Sequence, residues 1–171
     1  MAMIRPREGE FTMTSRELAT AERDVALMAE HGADGFVFGV LTEDHRIDRA
    51  GCSRLLKACS GKPALFHRAF DRLDDLDEGI GVLRELGFAR VLSSGGRASA
   101  EEGVDTLAKL GRAGGIEVMP GGGIRSANVR RICEQTGCGS VHMGPRAAAG
   151  DYRALDVPEV EKAAKILRGL A

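Results

Sequence analysis

The chain has no tryptophan, one tyrosine and six phenylalanines among its 171 residues. The aromatic platforms on which single-strand nucleic-acid binders stack bases are therefore mostly missing. It also lacks an excess of charge of either sign, with 24 Lys and Arg against 25 Asp and Glu and a formal charge of −1. A near-neutral chain exerts no general pull on nucleic acid or an anionic membrane surface, so neither is expected as a partner. No apolar run approaches the ~20 residues that cross a bilayer. The most apolar stretch, 33–41, contains Asp34. The opening MAMIRPREGEF has no apolar segment behind a basic start, so no secretory leader is expected. The four cysteines, Cys52, Cys59, Cys133 and Cys138, form no C-x-x-C. Reduced thiols in a cytoplasmic protein are the expectation. What is abundant is glycine: 23 residues, about 13% against a usual ~7%. Such a surplus points to many tight turns or to close approaches between backbone and ligand.

The length predicts a single domain over 1–171, long enough to hold a core without disulfides or metal. Short apolar runs alternate with helical patterns. The predicted strands are Ala2–Arg7, Gly35–Leu41, Ala64–Ala69, Arg90–Ser93, Ile116–Met119 and Ser140–Met143. Between them fall helical segments with their own punctuation. Thr14 and Glu17 make a capping-box pattern, as do Ser99 and Glu102; Ser126 is expected to cap a further helix. The helix after Asp48 carries Leu55 and Leu56, and a last helix is expected over about 158–170. Gly32, Gly87, Gly111 and Gly137 are expected to end helices. This is the βα rhythm of a parallel sheet. No strand is followed by G-x-G-x-x-G with a distal acid, so the dinucleotide fingerprint is absent. Polar residues recur at the C-terminal ends of several strands rather than at one switch point, which favours a (β/α)8 TIM barrel over an open doubly wound sheet. The mean strand spacing of about 28 residues gives six βα units, so the α/β fold expected is an incomplete barrel. Its unpaired edges are expected to support self-association.

The strand ends carry the candidate chemistry. Arg5 and Arg7 lie two apart and would share one face of an extended strand. His67, Arg68 and Asp71 close the third strand; Ser93-Ser94-Gly95-Gly96-Arg97 follow the fourth. Gly121-Gly122-Gly123-Ile124-Arg125 follow the fifth, and His142 to Arg146 the sixth. Arginines and glycine turns opening onto helix N-termini suit an anion, and the last βα loops of a barrel are its usual phosphate seat. The anion-binding candidates are Arg5, Arg7, Arg68, Gly122, Gly123 and Arg125, with a small anionic ligand as the expected partner. His67, Asp71 and Glu117 are the acid/base candidates. Each has an ordinary reading too: a solvated arginine, a core histidine, or a structural ion pair at Glu117. His31 and His45 read as surface residues. Cys52 and Cys59 are seven apart, about 10 Å along a helix axis, too far to share one metal. Cys133 and Cys138 fall near a helix end without metal-ligand spacing and read as ordinary thiols.

The segments MIRPREGEF, GFVFGVL, FHRAFD, VLSSGG and MPGGGI occur in that order and spacing. Together they resemble the CutC family, associated with copper homeostasis, from Met3 to about His142. The resemblance implies a TIM barrel and a cytoplasmic protein linked to copper. It also implies about two further βα units before the MIRPR strand. The family's Cu(I) cysteines fall in that portion, so no metal ligand carries over to this sequence and copper is implied at family level alone. The 147–156 loop looks shortened relative to the family. Two functions follow as expectations: a copper homeostasis protein with an anion-binding polar site at the strand ends, or a barrel enzyme acting on a small anionic substrate such as a phosphorylated one.

Overall fold

The computed structural model describes residues 1–145 and 154–169. Arg146 and most of the 147–156 loop lie outside the described residues. The elements are β1 (Ala2–Met3), α1 (Ser15–Glu30), β2 (Phe36–Phe38), α2 (Arg49–Ala58), β3 (Ala64–Phe66), a 3-10 turn (Arg68–Arg72), α3 (Leu76–Leu86), β4 (Arg90–Ser93), α4 (Val104–Arg112), β5 (Glu117–Pro120), α5 (Val129–Thr136) and α6 (Val157–Arg168). The strands follow one another in the sheet in chain order, as in a (β/α)8 fold. The residues fall into two compact units, Met1–Leu92 with Gly115–Glu117, and Ser93–Gly114 with Val118–Ala171.

In the first unit β1, β2, β3 and β4 pair in parallel, with Ala2 opposite Phe36, Phe36 opposite Ala64 and Leu65 opposite Arg90. All three residues of β3 are buried, as expected of a parallel strand covered on both faces. Its core is aromatic: the Phe88 ring lies 5.3 Å from that of Phe38 and 5.4 Å from that of Phe66. Phe36, Phe38, Phe66 and Phe70 are fully buried, each contributing roughly 1.5–3 kcal/mol of hydrophobic stabilisation. Helix α1 starts where the sequence marks it. The Thr14 hydroxyl accepts from the Glu17 amide, and the Glu17 carboxylate accepts from the Thr14 amide. Asp48 and Asp75 cap α2 and α3 in the same manner. Gly87 ends α3 in the left-handed conformation, which a side chain would disfavour.

In the second unit α4 packs against α5 and α5 against α6, burying Leu107, Leu110, Ile124 and Ile132. Several sequence expectations are corrected. The first strand ends at Met3 instead of Arg7, because Pro6 removes a donor and the chain turns away after the Ile4 amide meets the Val37 carbonyl. The sixth strand reduces to a single parallel bridge between Gly121 and His142. Ser99 and Glu102 do bond to each other, but in a turn that precedes α4; the helix starts at Val104 behind Gly103. Gly111 lies inside α4, which runs on to Arg112. Asn128, not Ser126, precedes the first residue of α5.

Candidate functional site

In the first unit the candidate arginines organise the β1–α1 loop. Arg7 donates to the Glu17 carboxylate at 2.5 Å and to the carbonyls of Glu8, Glu10 and Thr12. Arg5 donates to the carbonyls of Arg7 and Gly9, and its guanidinium lies 4.7 Å over the Phe11 ring. The two therefore do not stand side by side on a strand. The Thr14 amide, the Arg7 guanidinium and the Thr14 hydroxyl together hold the Glu17 carboxyl down at about 2.

His67 is 5% exposed, with its ring 5.0 Å from that of Phe11. Its Nδ1 accepts from the Ala69 amide at 3.3 Å, which assigns the proton to Nε2. Burial, reinforced by the Arg5 charge, pushes this imidazole down to about 4. His67 is thus a neutral ring with one nitrogen already engaged. The cavity shared by His67, Gly39, Phe11, Arg5 and Glu17 is about 10 Å³, room for a single water. Asp71 accepts from Arg68 at 2.8 Å and is nearly buried. Glu117 pairs with Arg90 at 2.5 Å, with its side chain one third exposed. That is the ion-pair reading of Glu117. A larger cavity of about 360 Å³ in this unit is lined by Thr42, His45, Arg46, Leu73, Asp74 and Glu78, among others. His45 is exposed, as a surface residue should be, and stands at the rim of this cavity. It lies in the LTEDHR reversal, which is closed by an antiparallel bridge from Leu41 to Ile47, and has a positive φ.

In the second unit the chemistry belongs to backbone. Gly95, Gly96, Gly122 and Gly123 all have positive φ. The Ser93 hydroxyl accepts from the Gly95 amide at 2.8 Å. A Cβ on Gly95 or on Gly103 would run into the other turn's backbone, at Gly103 O and Ser94 O respectively. Gly103 was not singled out in the sequence, since its need for glycine comes from a neighbour nine residues away. The Gly122 carbonyl accepts from the Ala100 amide and the Gly123 carbonyl from Asn128 Nδ2. Among the described residues, the Gly122 and Gly123 amides donate to no protein acceptor. Two residues on, Arg125 is exposed and donates to the Ile124 carbonyl. An internal anion occupies the next donors: the Glu159 carboxylate accepts from the Ser126 amide at 2.5 Å and from its hydroxyl at 2.9 Å. Those two bonds, with the charges of Lys162 and Arg125, hold the Glu159 carboxyl below its usual range.

Among the described residues no group of three His, Cys, Asp or Glu side chains is arranged to hold a metal. Cys52 and Cys59 are buried in the first unit, and burial pushes their thiols up, to about 12 and about 11. Cys133 and Cys138 are in contact, Sγ to Sγ 3.7 Å. Their contact was not read from the sequence; the turn at Gly137 brings them together.

A parallel βα fold with polar strand ends defines a TIM-barrel-class protein, and comparison with known proteins narrows the class. The CutC family model matches residues 1–147. The human copper homeostasis protein cutC homolog is 44% identical over 147 residues, which is 85% of this chain and 54% of that protein. A CutC family protein of Treponema denticola is 42% identical over 145 residues, 84% of this chain and 59% of its own length. The crystal structure of a Streptococcus agalactiae protein described as copper homeostasis protein CutC superposes with a TM-score of 0.79 at 36% identity, covering 82% of this chain and 70% of that one. The chain belongs to the CutC family, and its relatives are named for copper homeostasis. It spans about half the length of the curated relatives it matches first. A 3-hexulose-6-phosphate synthase from Salmonella typhimurium shares the fold alone, with TM-score 0.66 at 20% identity. No described helix is long and apolar enough to cross a membrane.

Proposed function

We propose that this chain serves copper homeostasis as a cytoplasmic protein that seats a small anion on the glycine turn after β5. The observation that carries the reading is the pair of Gly122 and Gly123 amides, with no protein acceptor among the described residues, two residues from Arg125. Successive backbone N–H groups beside a guanidinium are the groups that hold phosphate or carboxylate. Glu159 supports it: a carboxylate already accepts from the Ser126 donors, so this turn favours negative charge. Phosphate titration by calorimetry tests the seat. Saturable binding is expected, weakened about tenfold in Arg125→Ala; an Arg125→Ala protein that binds as the parent does refutes it.

Copper fits one place among the described residues. Cu(I) prefers soft sulfur donors, and Cys133 and Cys138 are the thiols that stand together; these two would hold it. Cu(I) titration of the reduced protein against the Cys133→Ser and Cys138→Ser variants tests this, with loss of one bound ion per chain expected.

The enzyme reading would use His67, Asp71 and Glu117 as acid and base, with Arg5, Arg7 and Arg68 completing an anion clamp. It has less support, since His67 is neutral and engaged at Nδ1, and Asp71 and Glu117 each pair with an arginine. Self-association belongs to the same proposal. Met1 and Met3 are 55% and 57% exposed at the β1 edge, and an open apolar edge pairs readily with another strand.

A further inference from the structure

Helix α5 ends in a chain reversal with a particular consequence. Gly137 takes φ +66°, and its amide donates to the Cys133 carbonyl at 2.8 Å. Left-handed caps of this kind throw the next residue back onto the last helical turn, where an apolar pair usually meets. Here both members of that pair are cysteines, and their sulfurs are 3.7 Å apart. Both are partly exposed, unlike Cys52 and Cys59. The Cys138 amide is tied to the Thr136 hydroxyl at 3.3 Å, and the Thr136 hydroxyl donates to the Ile132 carbonyl at 2.7 Å. The backbone on either side of the pair is thus fixed, and the sulfurs meet without any helix having to move. A disulfide needs S–S near 2.05 Å.

We infer that Cys133 and Cys138 form a redox-modification site, closing a disulfide across the α5 cap by exchange with a small-molecule disulfide such as oxidised glutathione. The step balances as two consecutive displacements. The Cys138 thiolate attacks one sulfur of the small disulfide, whose S–S bond breaks and releases one thiolate. Cys133 then gives its proton to solvent and attacks the Cys138 sulfur, and the second small thiolate leaves. The protein is oxidised by two electrons, and one small disulfide becomes two thiols. Cys133 is suited to the second, intramolecular displacement because its target sulfur is already in contact, 3.7 Å away. The closed loop holds the reversal between α5 and the Gly121–His142 bridge, so oxidation stiffens the segment 137–142. The inference rests on the sulfur contact and needs neither the anion seat nor copper.

The test is a redox titration of the reduced full chain in glutathione buffers of rising oxidised fraction. Free thiols and intact mass are the readouts. The expected result is a fall from four thiols to two and a mass loss of about 2 Da without an adduct. Peptide mapping should link 133 to 138, with Cys52 and Cys59 still reduced. Cys133→Ser should stop at the glutathione adduct on Cys138, because the resolving thiol is gone. Four thiols throughout, a persistent adduct on the parent chain, or a link involving Cys52 or Cys59 would each overturn the inference.

Discussion

The two units use arginine and glycine in opposite ways. In the first, arginine is structural. Arg7 gathers four acceptors and Arg5 two, so their charge goes into fixing the β1–α1 loop. In the second, glycine is the scaffold: Gly95 and Gly103 let two backbones touch, and the Gly122 and Gly123 amides have no acceptor among the described residues. An arginine near a strand end is thus a poor guide to binding until its own acceptors are counted. A glycine turn is a better guide, because backbone amides without an acceptor have few reasons to be left so.

That contrast can be broken by substitution. The largest effect is expected for Gly103→Ala, whose new Cβ meets the Ser94 carbonyl. Overpacking against rigid backbone should destabilise by roughly 2–4 kcal/mol in urea unfolding; a loss under about 1 kcal/mol would mean the turns yield easily. Acid comes next, and it strikes the first unit. His67 is held at about 4 against an ordinary 6.5. The unfolded chain therefore binds a proton on this group that the folded chain refuses. Stability is full above 6.5 and falls as pH drops towards 4, by at most about 3 kcal/mol. Glu17, at about 2 against 4.5, adds stability present above 4.5 and lost as pH falls towards 2. His67→Phe should flatten the upper window and Glu17→Gln the lower, each visible in Tm against pH. A window that persists in its own variant assigns it to another group. A smaller change is expected for Glu159→Gln, which removes the internal carboxylate that holds Ser126. Phosphate affinity should rise a few-fold; a fall would show that Glu159 builds the turn rather than competes for it. The smallest effect concerns the β1 edge. Light scattering should show concentration-dependent association, reduced in Met3→Lys, whereas a monodisperse 18.2 kDa species would remove that part of the proposal.

Much of the fold was legible because its signals are local. The Thr14/Glu17 box, the Asp48 cap, Gly87 and Gly137 each act within five residues, and each stands where the pattern placed it. Strand ends were overextended where ladder pairing, rather than composition, decides. The run to Arg7 reads as strand, yet the pairing stops after the Ile4 amide. Ser126 reads as a cap, but Glu159 from α6 takes its donors, and nothing near Ser126 foretells that partner. The CutC resemblance carried the family correctly. The sulfur contact at Cys133 and Cys138 was missed because C-E-Q-T-G-C was judged by metal-ligand spacing. The glycine before the second cysteine was the available signal: a left-handed cap folds that residue back on its predecessor.

The proposed anion seat lies on the second unit's glycine turn and not on the first unit's arginines. The most direct measurement is phosphate titration by calorimetry on the parent chain, Arg125→Ala and Arg7→Ala, each checked for folding by circular dichroism. Saturable binding is expected in the parent, with about tenfold weaker binding in Arg125→Ala, a loss of about 1.4 kcal/mol, and unchanged affinity with a lower Tm in Arg7→Ala. Unchanged binding in Arg125→Ala, with binding lost in a folded Arg7→Ala, would contradict it.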